Sequence, residues 1–126
     1  SSGLYAAMYK PFHLIGLELS ISVLNAALRG EATGATRGWR GDAVATAKRA
    51  LKAGETLDGE GGYTVYGKLM SADASRASGA LPIGLAHHVK LKRDVAAGAV
   101  VTAQDVVLDE ASQIVQLRRE LAAHAW

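Results

Sequence analysis

One seven-residue pattern occurs twice in this chain, as Lys48-Arg49-Ala50-Leu51-Lys52-Ala53-Gly54 and, 44 residues later, as Lys92-Arg93-Asp94-Val95-Ala96-Ala97-Gly98. Five of the seven positions are identical or aliphatic in both copies. Each copy places an aliphatic residue ahead of an Ala-Gly pair, where glycine accepts the positive φ of a tight turn more readily than alanine. The pattern predicts two equivalent strand-to-turn units at the centre of an α+β fold.

The segments around the first copy are expected to supply further strands. Residues 43–47 alternate acceptably for a strand, although their alanines also suit a helix; we favour the strand because it leads into the motif. Tyr63-Thr64-Val65-Tyr66 is rich in strand-forming residues, whereas the small, polar residues 71–79 predict a loop. Leu57 after the first copy and Val100-Val101 after the second are expected to return into the sheet.

A helical turn is predicted just after the second copy. Thr102-Ala103-Gln104-Asp105 has the spacing of a capping box, in which the threonine oxygen accepts from a free backbone N–H. Residues 106–108 are then expected to form a last short strand. The central β-rich domain should therefore span residues 42–108.

Helices are predicted on both sides of this domain. In residues 1–41, Pro11 suits the first helical position, residues 12–29 carry apolar side chains at helical spacing, and Gly30 ends the helix before a glycine-rich loop. In residues 109–126, apolar side chains predict a terminal amphipathic helix over about 111–124. Its predicted outer face carries Arg118, Arg119 and Glu120.

The composition sets the size and chemistry of the core. A chain of 126 residues suits one domain with an appendage. Apolar residues make up 49% of the chain but aromatic residues only 6%. We therefore expect a thin core of Leu, Ile, Val and Ala.

Charge and cysteine content narrow the possible partners. The formal net charge is +2, and the Lys and Arg residues are dispersed between acidic ones rather than gathered in a basic tract. This distribution argues against a nucleic-acid partner. The chain has no cysteine, which excludes disulfides and thiolate catalysis and fits a cytoplasmic protein. The longest apolar stretch, residues 14–28, is interrupted by Glu18 and Asn25 and is too short to span a membrane. The N-terminus does not resemble a signal peptide, and we expect a longer parent protein.

The run Leu91-Lys92-Arg93-Asp94-Val95-Ala96-Ala97-Gly98-Ala99-Val100-Val101-Thr102-Ala103-Gln104-Asp105-Val106 resembles the closing signature of SAF domains. That resemblance implies a β-clip fold and a binding or lid-forming role. Almost the whole chain is similar to the C-terminal third of homoserine-dehydrogenase-like oxidoreductases, which include enzymes resembling deoxyxylulose-phosphate reductoisomerase in activity. The similarity is carried by three stretches: Tyr9-Lys10-Pro11-Phe12-His13-Leu14-Ile15-Gly16-Leu17-Glu18, residues 53–68 and Leu81-Pro82-Ile83-Gly84-Leu85-Ala86.

This second resemblance implies an N-terminal Rossmann domain that binds NAD(P), and a homodimer. The sequence contains no G-x-G-x-x-G motif, so we expect no cofactor to be bound by this chain itself. Two alternatives stay open: a free-standing SAF binding module of the pilus or flagellar assembly type, and an SAF subunit of a sugar-acid dehydratase. The dehydratase alternative would need a metal, most plausibly at His87 or His88.

The leading candidate for a substrate-binding site is Tyr9, Lys10 and His13. At the start of a helix, free N–H groups and the helix dipole favour an anion such as a sugar phosphate. The alternative is that Tyr9 and Phe12 staple the helix start while Lys10 and His13 are solvated.

The other candidates are weaker. Adjacent histidines on a strand point to opposite faces, so His87 and His88 predict no metal site; one ring should be buried and the other solvated. Asp58-Gly59-Glu60-Gly61-Gly62 predicts an ordinary turn or a lid. Lys90, Lys92 and Arg93 either face a cleft or protect a strand edge. No Ser and His pattern indicates a nucleophile and its base, so no catalytic residue is assigned.

Overall fold

A computed structural model describes residues 3, 6–35 and 37–124, and the chain divides into two compact units, Ser1–Thr36 and Arg37–Trp126. The architecture is α+β, as predicted. The first unit contains helix α1 (Ser20–Leu24) and a π-helical turn (Asn25–Arg29). The second contains strands β1 (Gly41–Ala47), β2 (Thr56–Asp58), β3 (Val65–Ser71) and β4 (His87–Lys90), helices α2 (Ala72–Ser78) and α3 (Gln113–Ala123), and 3-10 turns at Ile83–Leu85 and Ala103–Asp105.

The helix of the first unit is shorter than predicted. Regular helix begins at Ser20 rather than at Pro11, whereas Gly30 ends it as expected, with a φ of 65°. Gly16, at a φ of 90°, interrupts the segment that was predicted to be helical. Neither α1 nor the π-helical turn buries a residue. A short helix that buries no side chain is only marginally stable in water, which accounts for the absence of the helical turns predicted before Ser20.

Two antiparallel strand pairs form the sheet structure of the second unit. β1 pairs with β3 from Gly41 opposite Ser71 to Ala47 opposite Val65. The strand predicted at 43–47 is therefore confirmed. β2 pairs with β4, with an irregular register between Thr56 and Asp58.

The two copies of the motif pair with each other. The N–H of Leu51 donates to the carbonyl of Val95 at 2.8 Å, and the N–H of Val95 donates back to the carbonyl of Leu51 at 2.9 Å. The two side chains occupy equivalent positions in the repeat, and both are buried. The sequence repeat is thus a structural repeat, related by an approximate two-fold axis through this pair.

The same relation holds for the turns. Gly54 and Gly98 have φ values of 86° and 78°, as expected for the Ala-Gly turns. The N–H of Gly54 donates to the carbonyl of Leu91, and the N–H of Gly98 donates to that of Ala47, both at 2.8 Å. Further equivalent hydrogen bonds join Leu91 N to Glu55 O and Ala47 N to Ala99 O, each at 2.9 Å. Each of these backbone hydrogen bonds in one copy has its counterpart in the other, with the partners exchanged.

The core is aliphatic, as the composition predicted. It lies around the motif pair and follows the repeat. Leu57 and Val101 are 44 residues apart, and Val65 opposite Ala47 corresponds to Val106 opposite Leu91. Its buried members are Ala45, Ala47, Leu51, Leu57, Val65, Leu81, Ala86, Leu91, Val95, Val101 and Val106. The core forms without an aromatic ring among the residues that the structure describes.

Two local predictions are wrong. The predicted loop at residues 71–79 contains α2, because Ser71 caps the helix by accepting from the N–H of Ala74 at 3.3 Å and Gly79 ends it at a φ of 64°. Residues 106–108 are not a strand; Val106 makes a single bridge to Leu91. The capping box of Thr102 and Asp105 is confirmed.

Helix α3 confirms the predicted terminal helix but not its orientation. Val115 is buried, whereas Ile114 and Leu117, which were predicted to lie on the apolar face, are exposed. Arg118, predicted on the outer face, has only 20% of its side chain exposed. No helix of the described residues is both long enough and apolar enough to cross a membrane.

Replacing Leu51 by alanine should lower the free energy of unfolding by about 3 kcal/mol, since the substitution opens a cavity at the pairing of the two copies. The matched control is Leu69→Ala on β3, where the side chain is 81% exposed and the expected change is below about 0.5 kcal/mol. Urea unfolding followed by circular dichroism measures both. Equal losses in the two variants would contradict a core centred on Leu51.

Candidate functional site

The predicted anion site lies in the first unit. Tyr9 is 88% exposed, the ammonium of Lys10 forms an ion pair with Glu18, and Nδ1 of His13 lies 2.9 Å from the same carboxylate. These residues precede Ser20, so they do not stand at a helix N-terminus, and that premise of the prediction is wrong. The structure does bring Lys10 and His13 together. Their assignment to a substrate anion stays a prediction.

The two histidines of β4 are both exposed, so the prediction that one ring is buried is wrong. Their ring centroids are 6.4 Å apart. Leu57 of β2 faces two residues of β4, and within this bulge His88 takes a φ of 57°, a left-handed conformation in which histidine is more common than most side chains. Within the described part of the chain, no three His, Cys, Asp or Glu side chains are grouped to hold a metal ion.

The loop from Asp58 to Gly62 is closed by the carboxylate of Asp58. It accepts from the N–H of Tyr63 at 2.6 Å, from the N–H of Thr64 at 3.0 Å and from the Thr64 hydroxyl. The hydroxyl of Thr64, followed by the N–H of Tyr63, lowers the pKa of Asp58 to about 2. A Cβ at Gly62 would overlap that carboxylate, which explains the glycine. The geometry is that of an ordinary turn, and its carboxylate is directed at the backbone.

Asp58→Asn should destabilise the domain by about 1 kcal/mol at neutral pH, because an ionised acceptor is lost. The folded pKa lies below the ordinary value of 3.8, so the carboxylate stabilises the fold above about pH 4, and this contribution disappears as the pH falls through about 2. The gap in urea midpoint between wild type and variant should therefore close between these pH values. A gap of constant size would show that Asp58 does not titrate as described.

The charged residues of the SAF-like signature serve the fold. Asp105 accepts from the N–H and the hydroxyl of Thr102, both at 2.7 Å, and forms an ion pair with Arg93. Asp94 accepts from the N–H of Ala53 at 2.9 Å and forms an ion pair with Lys52, both residues of the first copy. Arg93 is therefore engaged with Asp105 rather than held in an open cleft.

A buried polar cluster joins β1, α2 and α3. The carboxylate of Asp42 accepts from the hydroxyl of Ser75 at 2.5 Å and from both terminal nitrogens of Arg118. The guanidinium carbon of Arg118 also lies 4.3 Å from the ring centre of Trp39. The ion pair therefore docks α3 onto the sheet domain, which explains why Arg118 turns inward.

A cavity of about 180 Å³ lies beside this cluster, between α2 and α3. Much of its wall is apolar, and its lining includes Trp39, Leu81, Pro82, Leu85, Val115 and Ala122. A shallower depression of about 440 Å³ shares Arg76 and Ala122 with it. Sequence reasoning missed both the cluster and the cavity, because Asp42 and Arg118 are brought together across 76 residues of chain.

Arg118→Met should lower the free energy of unfolding by about 3 kcal/mol, since it leaves the Asp42 carboxylate buried without its cation. Arg119→Met is the matched control, because Arg119 pairs with Glu110 on the surface and exposed pairs contribute about 0.5 kcal/mol or less. Urea unfolding and amide exchange of α3 measure the difference. Similar losses in the two variants would remove the docking role of Arg118.

Comparison with known proteins adds no relative: no protein-family model matches this chain, and no curated protein matches it significantly. The resemblance to SAF domains and to homoserine-dehydrogenase-like enzymes therefore stays a prediction.

Proposed function

We propose that this chain is a β-clip (SAF) accessory and oligomerisation region of a cytoplasmic NAD(P)-dependent oxidoreductase similar to homoserine dehydrogenases. The signature residues Arg93, Asp94, Thr102 and Asp105 support a scaffolding role, since each is held in a hydrogen bond or ion pair that closes a turn. The proposal places the hydride-transfer chemistry in an N-terminal Rossmann domain of the same protein, which would bind the NAD(P).

The observation that carries the proposal is the exposure of apolar side chains throughout the first unit. Ile15, Leu17 and Leu19 are each more than 70% exposed, and so is Leu28. A concentration of exposed apolar side chains in one segment indicates an interaction site, because covering them removes hydrocarbon from water. We assign its cover to the neighbouring domains of the parent enzyme, assembled as a homodimer.

The predicted site fits this arrangement. Lys10 and His13 lie on the same segment as the apolar residues and would therefore be near the boundary with the catalytic domain. There the ammonium of Lys10 and the imidazole of His13 would contact a phosphate of the substrate, in exchange for their present contact with Glu18.

The coding sequence upstream of Ser1 tests the proposal directly. A dinucleotide-binding region with a glycine-rich strand-to-helix turn is expected there, and the longer protein should bind NADPH while the 126-residue chain does not. A start codon shortly before Ser1, or an upstream region unrelated to dinucleotide binding, would overturn it. The first of these results would favour a free-standing binding module.

The isolated chain should self-associate, because its exposed apolar segments would cover one another in place of the missing domains. The double substitution Leu17→Lys and Ile21→Lys introduces two positive charges into the first unit. It should therefore reduce the mass measured by sedimentation. Leu69→Lys, at a site on β3 that is 81% exposed, should leave the mass unchanged. A wild-type chain that sediments as a monomer would contradict this prediction.

A further inference from the structure

The cavity between α2 and α3 has the size and the wall of a small-molecule site. Its volume of about 180 Å³ is slightly larger than the roughly 150 Å³ of an apolar protein cavity that holds benzene. Leu81 and Val115, both buried, contribute to the wall together with the half-buried Trp39 and Leu85. A space of this volume and polarity suits one planar six-membered ring.

The charge around the cavity is positive. Three arginines, Arg76, Arg118 and Arg119, line it, and none of the described residues that line it is Asp or Glu. Arg118 is paired with Asp42 and Arg119 with Glu110. Because these two arginines are neutralised by their carboxylates, the attraction for an anion comes from Arg76.

Arg76 is the cation that is available to a ligand. It lies in the last turn of α2 and is exposed, and no carboxylate of the described residues forms an ion pair with it. It lines both the cavity and the shallower depression outside, so it stands where the two meet. Asp73, on the outer depression, does not lie within ion-pair distance of Arg76.

We propose that this cavity binds a small aromatic carboxylate of about the size of benzoate. The ring occupies the apolar space between α2 and α3, and the carboxylate meets the guanidinium of Arg76, whose planar fork matches carboxylate geometry. This site is additional to the accessory role proposed above, and neither Lys10 nor His13 lines it.

Titration of the ¹⁵N-labelled chain with benzoate, up to about 10 mM, tests the proposal by NMR. Saturable shifts are expected for the amides of Leu85, Ala103 and Val115 and for the indole N–H of Trp39, which donates to the carbonyl of Gly41. A Trp126→Phe variant identifies the Trp39 indole signal. Benzyl alcohol, a neutral molecule of similar shape, is titrated in parallel.

Arg76→Gln should weaken benzoate binding by about tenfold or more, and it should leave benzyl alcohol binding unchanged, because only the charged contact is removed. Lys68→Gln is the matched control: it removes one positive charge from the exposed face of β3, away from the cavity. Urea unfolding of both variants confirms that they are folded. If Arg76→Gln unfolds, the charge-retaining variant Arg76→Lys takes its place in the titration. This variant should bind benzoate with an affinity between that of the wild type and that expected after removal of the charge.

Three results would overturn the proposal. The first is the absence of saturable shifts at the cavity residues in the wild-type chain. The second is equal benzoate affinity in Arg76→Gln and Lys68→Gln, which would mean that only the overall charge matters. The third is benzyl alcohol binding as tightly as benzoate. None of these results bears on whether a dinucleotide-binding region precedes the chain, so the accessory role is tested separately.

Discussion

The reciprocal hydrogen bonds between Leu51 and Val95 are the contact on which the rest of the second unit depends. They join two segments that are 44 residues apart and bring two short strand-turn units into one core. Neither copy of the motif alone has enough apolar surface to form a stable structure, since an isolated hairpin is only marginally stable in water. Pairing across the approximate two-fold axis lets each copy of the motif cover the aliphatic side chains of the other.

The two copies differ at the position of Asp94 and in the segments that follow them. Asp94 replaces the alanine of the first copy, and its carboxylate holds the backbone of Ala53 and the ammonium of Lys52. The first copy instead continues into a loop closed by Asp58, whereas the second continues into the capping box of Thr102. In both copies an aspartate and a threonine hydroxyl close the turn. These polar contacts satisfy backbone groups at the ends of very short strands.

The run from Leu91 to Val106, which was compared above with SAF domains, uses its charged residues to stabilise the structure. Its arginine and aspartates are engaged with one another or with the backbone, so the fold itself accounts for their pattern. Surface features that a partner or ligand would meet lie elsewhere. They are the exposed apolar segment of the first unit and the cavity below α3, with Arg76 at its entrance.

The sequence by itself determined the features that are local: the two Ala-Gly turns, the strand at 43–47, the capping box and the existence of α3. Each depends on backbone preferences or side-chain contacts within a few residues. Helix α2 was also signalled locally, by Ser71 and Gly79, but its small residues resembled a loop. Only the tertiary structure decided the inward turn of Arg118, the exposure of both histidines of β4 and the cavity between α2 and α3. These features depend on the packing of segments that are distant in the sequence. The apolar periodicity of α3 does not reveal that the buried carboxylate of Asp42 requires a cation on the inner face of that helix.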